Sequence, residues 1–334
     1  MRKYESLSAS MLNPSFFNVG DNMHMVSFQA MKIIPADFII RKAISRGELQ
    51  PGGTVIETSS GNFALGMAMI CNHLNHPFIA IGDPAIEPSY QRQLEMLGGR
   101  VEIITEKRGS QGYQKARLER LYEILENDRS AFWCRQYDNE DNGQAYANVG
   151  KNLMSAFGQK MILVAPVGSG GASCGITKAL RAVGVDCILV GVDTFNSILF
   201  GQVDGPRKLR GLGNTIMPRN LKHELFDHVH WIGSDLADHY TRKLYKTTGH
   251  FRGPTTGAAF AVAKYMAKKY PCENVVFLSP DDGYRYLHST YASDIQCRIE
   301  DNVIPVEITS PNAYAVGTEW ACMAWERVNL EQVH

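Results

Sequence analysis

Short apolar runs alternate with longer amphipathic segments along most of the chain, and this alternation strongly limits the folds that it can adopt. The runs predict strands at residues 54–57, 78–81, 101–105, 161–165, 187–193 and 274–278, and the intervening segments predict helices at 64–73, 89–97, 112–127, 145–156, 175–183, 235–248 and 256–269. Strands that are apolar throughout are typical of sheets covered on both faces. The order of elements therefore predicts an α/β protein with open, mostly parallel sheets. A chain of 334 residues is long enough for two such domains.

Charge and cysteine content exclude several classes of function. The 34 basic and 34 acidic residues give a formal net charge of zero, so no basic surplus indicates a nucleic-acid or membrane partner. The chain lacks an apolar run long enough for a membrane helix, lacks a signal-peptide pattern, and its seven cysteines form no CxxC pair. We therefore expect a reduced, cytoplasmic protein. The histidines have no metal-ligand spacing, and no metal site is expected.

Five small residues, Gly168-Ser169-Gly170-Gly171-Ala172, follow the predicted strand at 161–165 and are termed the glycine loop. Glycines let the backbone approach a ligand closely, and the helix predicted next would offer N–H groups to an anion such as phosphate. The alternative is a tight turn without a ligand. Two nucleotide motifs fit poorly, because the Gly-Lys-Ser/Thr of a Walker A loop is absent and the GxGxxG fingerprint lacks its final glycine.

A second polar turn, Thr58-Ser59-Ser60-Gly61-Asn62, lies between a predicted strand and a predicted helix and is termed the serine loop. Hydroxyl and amide donors at a helix N-terminus suit a carboxylate ligand. The alternative is a simple helix cap. Because one residue suffices for a cap, five consecutive small polar residues favour the binding site.

These two loops resemble those of the pyridoxal-phosphate enzymes of the cysteine synthase type (fold type II). Further stretches resemble that family in the same order over roughly residues 25–295: QYDNEDNGQAY from Gln136, VGVDTFNSILFG, LRGLGNTIMP, GPTTGAA from Gly253 and LSPDDGYRYLHSTYAS. The phrase Val-Ala-Pro-Val is similar to one in siderophore-pathway members that make diaminopropionate precursors. Pyridoxal 5′-phosphate is the cofactor that this resemblance implies.

The resemblance also implies roles for individual residues. Lys32, in the stretch QAMKIIPA, matches the lysine that holds the cofactor as a Schiff base and moves the α-proton. Its apolar neighbours would lower its pKa, and the alternative is a surface lysine at a helix start. Ser59, Ser60, Gly61 and Asn62 would bind the substrate carboxylate, with Asn62 also bonding the cofactor ring oxygen and Gln136 near the substrate. The glycine loop would bind the phosphate, although Ala172 stands where threonine is usual.

The partner of the cofactor's ring nitrogen is a departure from the family, which commonly has serine or threonine there. Alignment to the glycine of Pro280-Asp281-Asp282-Gly283 places Asp282 in that position, with Asp281 as the second candidate. A carboxylate at this point would hold the ring nitrogen protonated and make the ring a stronger electron sink. The alternative is that both aspartates belong to a turn.

The family architecture implies a cofactor in the cleft between two domains. Residues 37–137 would form a smaller mobile domain, residues 1–36 and 138–334 a larger cofactor domain, and two chains a homodimer. The implied reaction is β-replacement on a serine-derived amino acid, such as O-acetylserine or O-phosphoserine, through an aminoacrylate. The nucleophile would be sulfide or an amine, and the likeness to diaminopropionate-precursor synthases favours an amine. Dehydratase-type elimination and a non-catalytic binding protein stay open as alternatives.

Overall fold

The computed structural model of the chain describes residues 3–59, 61–108, 112–209, 211–292 and 303–332. The helices are α1 (Leu7–Met11), α2 (Ile33–Ser45), α3 (Asn62–Leu74), α4 (Pro88–Met96), α5 (Gly112–Asn127), α6 (Asp141–Gln144), α7 (Ala147–Phe157), α8 (Gly171–Ala182), α9 (Ser234–Thr248) and α10 (Pro254–Lys269). The strands are β1 (Ser15–Gly20), β2 (Met23–Ser27), β3 (Val55–Glu57), β4 (Phe78–Gly82), β5 (Gly99–Ile103), β6 (Phe132–Trp133), β7 (Lys160–Pro166), β8 (Asp186–Asp193), β9 (His228–Ile232), β10 (Val275–Ser279), β11 (Val306–Glu307) and β12 (Trp320–Ala324). Each predicted strand and helix is present in this set, and the predicted α/β class is confirmed.

The described chain divides into two compact units, of which unit 1 comprises Met1–Asn13 and Ala30–Ala145. Its sheet has four parallel strands in the order β5-β4-β3-β6. The strands are short, and Ile56 and Ile81 of the sheet pack with Leu121 and Ile124 of α5. The serine loop lies at the carboxyl end of β3, the edge at which open α/β sheets bind ligands.

Unit 2 comprises Pro14–Gln29 and Tyr146–His334. Its eight-stranded sheet has the order β1-β2-β10-β7-β8-β9-β12-β11, with parallel pairing from β2 to β9 and antiparallel pairing where β1 joins β2 and β12 joins β9. The central strand β7 is buried after its first residue, as expected for a strand covered on both faces. The pairing of β12 with β9 gives a place in the sheet to the C-terminal tail, for which the sequence pattern predicted none.

The boundaries of these units differ from those that the sequence predicts. Residues 30–36 and 138–145, predicted in the larger domain, lie in unit 1, and so does the N-terminal stretch Met1–Asn13. The reason is packing, because α2 contacts α1, α3 and α6 within this unit. The segment of the N-terminal region that does lie in unit 2 is Pro14–Gln29, which supplies β1 and β2.

The described ranges contain neither a candidate membrane helix nor a candidate metal site. Within those ranges, no helix is both long and apolar enough to span a membrane. Nor do three or more His, Cys, Asp or Glu side chains in that part of the chain form a group that could hold a metal ion.

Candidate functional site

Lys32 stands directly before α2, as the N-cap residue of that helix. Gly66 of α3 packs at this point, since a Cβ on Gly66 would lie 3.0 Å from the carbonyl oxygen of Lys32 and 3.0 Å from the Cα of Ile33. Gly66 lies four residues after Asn62, the first residue of α3, so the backbone of Lys32 lies about one helical turn from the serine loop. Burial lowers the pKa of the Lys32 amine from 10.5 to about 8, as its apolar neighbours predict. A lower pKa increases the share of free amine near neutral pH.

The serine loop is held by side chains of its own unit. Ser59 is buried, and its Oγ accepts a hydrogen bond from the Gly61 N–H at 3.4 Å. The Tyr90 hydroxyl donates to the carbonyl of Gly61 and accepts from the Leu65 N–H at 3.2 Å. The N-cap of α3 is Gly61, and no described residue other than its chain neighbours lies within 4 Å of the place where its Cβ would be. This leaves room for an anion beside the helix N-terminus, while Ser60 lies outside the described residues.

Gln136 lies on the segment that follows β6, and its side chain is buried. Its N–H donates to the Glu57 carboxylate at 3.4 Å, and its carbonyl accepts from the Asn142 Nδ2 at 2.6 Å. Because β3 and β6 are neighbouring parallel strands, the serine loop and Gln136 follow the same end of the sheet. Unit 1 therefore gathers at this edge the described residues of the predicted carboxylate site.

The glycine loop connects β7 to α8 within unit 2. Gly170 has a φ of +78°, and a Cβ there would lie 2.6 Å from the Cα of Leu221, so only glycine fits. Helix α8 begins directly after this turn, four residues before the predicted start. Among the described residues, by contrast, a Cβ on Gly168 would have one neighbour within 4 Å, the carbonyl oxygen of Gly211 at 3.8 Å. The loop thus leaves space at its first glycine, and its other four members are buried: Ser169, Gly170, Gly171 and Ala172.

Asp281 and Asp282 follow β10 and have different surroundings. Asp281 is buried, and its Oδ2 accepts a hydrogen bond from the Tyr286 hydroxyl at 2.8 Å. Asp282 is half-buried and accepts from the N–H of Tyr284 at 3.1 Å, which is the geometry of an Asx turn. The backbone of Asp282 also bridges to Arg252. Of the two candidates for the ring nitrogen, Asp282 has the contacts of a turn residue and Asp281 those of a buried carboxyl group.

Sequence reasoning did not identify three residues that shape the groups in unit 1: Glu57, Gly66 and Tyr90. Glu57 had a signal, because a charged residue at the end of an apolar strand is rarely buried without a reason. Gly66 had one too, since glycine inside a predicted helix indicates close packing. Tyr90 had none, because its contact with the serine loop depends on how α4 packs against α3.

Parallel-sheet α/β units, a buried lysine in one of them and a glycine loop at a helix N-terminus in the other are features of cofactor-dependent enzymes that act on small acids. Residues 21–281 of the chain match the family described as pyridoxal-phosphate dependent enzyme. The chain belongs to this family, and it is an enzyme whose cofactor is pyridoxal phosphate.

The relatives narrow the type of enzyme. The chain is 33% identical, over 273 residues covering 81% of each chain, to the N-(2-amino-2-carboxyethyl)-L-glutamate synthase of Ralstonia nicotianae. The O-acetylserine dependent cystathionine beta-synthase of Helicobacter pylori superposes with a TM-score of 0.78 at 23% identity, covering 86% of this chain and 99% of that one. Cysteine synthase of Entamoeba histolytica gives 0.78 at 22% identity, covering 91% and 93%. The fold is therefore that of the cysteine synthase type.

The residues present fit the cofactor. The space at Gly168 beside the N-terminus of α8 suits a phosphate group. The amine of Lys32 has the lowered pKa that a Schiff-base lysine requires. Both observations concern this chain's own backbone and side chains and agree with the family assignment.

Proposed function

We propose that the protein catalyses β-replacement on an activated serine, such as O-acetyl-L-serine or O-phospho-L-serine, with an amine as the nucleophile. The observation that carries the proposal is the position of Lys32, whose amine has a pKa of about 8 and whose backbone lies one helical turn from the serine loop. The 33% identity to a synthase named for the product of serine-derived and glutamate halves supports an amine, specifically an amino acid, as the acceptor. Elimination to a keto acid is the alternative outcome.

We assign separate roles in cofactor binding, substrate binding and proton transfer to residues of this chain. Pyridoxal phosphate, when bound, supplies an electron sink for the bond that breaks at the substrate Cα. We assign the cofactor phosphate to the glycine loop, where main-chain N–H groups at the start of α8 would hold it. The described residues of the serine loop bind and orient the substrate carboxylate, Asn62 would also hold the cofactor, and Gln136 lies beside the substrate. Lys32 would hold the cofactor, and its amine would take the proton from the substrate Cα.

The test compares acceptors with the same activated serine. Purified protein is given O-acetyl-L-serine or O-phospho-L-serine with L-glutamate, with sulfide, or with no acceptor, and the products are separated by mass. We expect one new amino acid that carries both halves, formed fastest with the amine. A keto acid formed equally in all three reactions would establish elimination instead. Lys32→Ala should lose the visible absorption band of the bound cofactor. A wild-type protein that shows no such band would refute the proposed function.

The visible spectrum of the bound cofactor can also show whether Asp281 or Asp282 is the partner of its ring nitrogen. We propose that Asp281 is the partner of the ring nitrogen, because Asp282 is engaged with the N–H of Tyr284. Asp281→Asn is then expected to shift the visible band and lower turnover, and Asp282→Asn to change neither. Equal effects of the two substitutions would contradict the choice.

We further propose that the protein is a cytoplasmic homodimer. Six cysteines of the described chain are free thiols, five of them buried, which suits a reducing compartment. Strand β1 is an edge strand of its sheet and exposes Phe16 and Phe17. Because exposed apolar edge strands are usually covered by another segment or chain, this edge is a candidate for contact with a second copy. Light scattering of the purified protein checks the mass, and a monomer at micromolar concentration would refute the dimer.

A further inference from the structure

Glu57 is the last residue of β3, and only 1% of its surface is exposed. Its Oε1 accepts hydrogen bonds from the Thr58 N–H at 2.8 Å and from the Trp133 indole N–H at 3.3 Å. Its Oε2 accepts from the Gln136 N–H at 3.4 Å. One carboxylate therefore joins the first residue of the serine loop to the segment that carries Gln136.

The hydrogen bonds of the Glu57 side chain begin where the backbone pairing of β3 with β6 ends. The ladder between β3 and β6 pairs Val55 with Phe132 and Ile56 with Trp133. The next residues, on the side of the predicted carboxylate site, are connected through the Glu57 side chain. Removal of this carboxyl group would take away the side-chain hydrogen bonds that join the serine loop to the Gln136 segment.

Burial and the hydrogen bonds from Thr58, Trp133 and Gln136 determine the pKa of the Glu57 carboxyl group in the described part of the chain. The buried thiol of Cys134 interacts electrostatically with Glu57 and with Cys71. The Arg135 guanidinium lies over the Trp133 ring, 5.6 Å from its centroid, and so faces the indole that donates to Glu57. Burial raises the pKa of the Glu57 carboxyl from 4.5 to about 7, because the donors offset only part of the lost hydration. Both protonation states are therefore populated near neutral pH.

We propose that Glu57 is a positioning residue that holds the serine loop and Gln136 in the arrangement that binds the carboxylate of the amino-acid substrate. This role rests on the proposed function and adds to it a residue that does not itself touch the substrate. Lys32 is fixed separately, by the contact of Gly66 with the start of α2. Loss of Glu57 should therefore weaken substrate binding and leave the rate of the bound substrate almost unchanged.

Glu57→Gln tests this role with little change in size. The amide keeps one acceptor oxygen and turns an N–H₂ donor towards a backbone N–H, so one of the two loop contacts is lost. We expect KM for the activated serine to rise about tenfold, a loss of about 1.4 kcal/mol of binding, with kcat within about twofold of wild type. The dissociation constant of a non-reacting amino acid, read from the visible spectrum of the holoenzyme, should rise by the same factor. Glu126→Gln, the same exchange on the exposed face of α5, is the matched control.

A second readout does not depend on turnover. In the full-length protein, emission from Trp133 should change with pH around a midpoint near 7, because its indole donates to Glu57. Glu57→Gln should abolish this titration, and Trp133→Phe should remove the signal and so assign it. A titration that persists in Glu57→Gln would overturn the link between the two groups.

The outcomes separate this role from the proposed function. If the wild-type enzyme turns over normally and Glu57→Gln has an unchanged KM and dissociation constant, the positioning role is refuted and the proposed function stands. The positioning role is also refuted if Glu57→Gln lowers kcat without changing KM, or if Glu126→Gln has the same effect. A wild-type protein with no cofactor band refutes the proposed function, and the role of Glu57 in substrate binding with it.

Discussion

Replacing Lys32 by methionine is expected to stabilise the cofactor-free protein near neutral pH, although it abolishes function. The fall in the pKa of Lys32 from 10.5 to about 8, at about 1.4 kcal/mol per pH unit, means that keeping this amine protonated in the folded chain costs about 3 kcal/mol. Methionine fills a similar volume without a charge. Sites that carry unfavourable charge for catalysis commonly show this exchange of stability for function.

The sign of the pH dependence follows from linkage. The folded pKa of Lys32 lies below its unfolded value, so between about 8 and 10.5 the unfolded chain binds more protons and the stability of the wild type rises with pH. The advantage of Lys32→Met should therefore be largest, up to about 3 kcal/mol, at or below pH 7, and should fall to about half of that near pH 9.5. Urea unfolding of both proteins without cofactor, followed by circular dichroism, measures this difference.

A control exchange identifies the source of the gain. Lys151 is exposed on α7, and Lys151→Met removes the same charge from the surface. This control should change the free energy of unfolding by less than about 0.5 kcal/mol. If Lys32→Met gains no more than Lys151→Met, or if its gain does not depend on pH, Lys32 is not a buried amine of lowered pKa and the reasoning fails.

Three further predictions concern loops and buried acids. Gly170→Ala should lower the stability by about 2–4 kcal/mol, because it adds a Cβ at positive φ against backbone. The Cβ added by Gly168→Ala fits the described surroundings, so this variant should keep the melting temperature of wild type but bind the cofactor at least about tenfold more weakly. Equal melting temperatures for Gly170→Ala and Gly168→Ala would contradict this contrast. Tyr90→Phe removes the hydroxyl bonded to Gly61 and should cost about 1 kcal/mol and raise KM severalfold with kcat kept, whereas an unchanged KM would argue against its support of the serine loop. Burial raises the pKa of Asp193 from 3.8 to about 7, so the folded chain binds more protons than the unfolded chain between these values, and stability falls as pH rises through them. Asp193→Asn should make stability depend less on pH. Unfolding measured at pH 5 and pH 8 should show the larger difference between this variant and wild type at pH 8.

Much of the fold could be predicted because its signals are local. The strand at 161–165 and the helix at 112–127 are visible from apolar runs and periodicity alone, and the helix is found at the predicted bounds. The glycine and serine loops are visible because special backbone geometry and helix N-termini require particular residue types. The ordered motifs over roughly residues 25–295, which include both loops, carry the resemblance that predicted the family, its cofactor and the role of Lys32.

Pairings between distant segments had no comparable signal. Strand β12 of the C-terminal tail pairs with β9, about ninety residues earlier, and nothing in its composition indicates that partner. Helix α8 begins at Gly171 and not at the predicted residue 175, because the close approach of Leu221 favours a left-handed turn at Gly170.

The sequence by itself determined the α/β class and the places of the two loops, because periodicity and turn chemistry act over a few residues, and the resemblance to the family singled out Lys32. Only the tertiary structure decided that Lys32 packs beside Gly66 in unit 1 and that Asp281 is more buried than Asp282. It alone decided that Glu57 connects two loops seventy-nine residues apart in the chain. The hydrogen-bond partners of Glu57, and with them its pKa, depend on which distant segments pack against β3, and no local pattern specifies those segments.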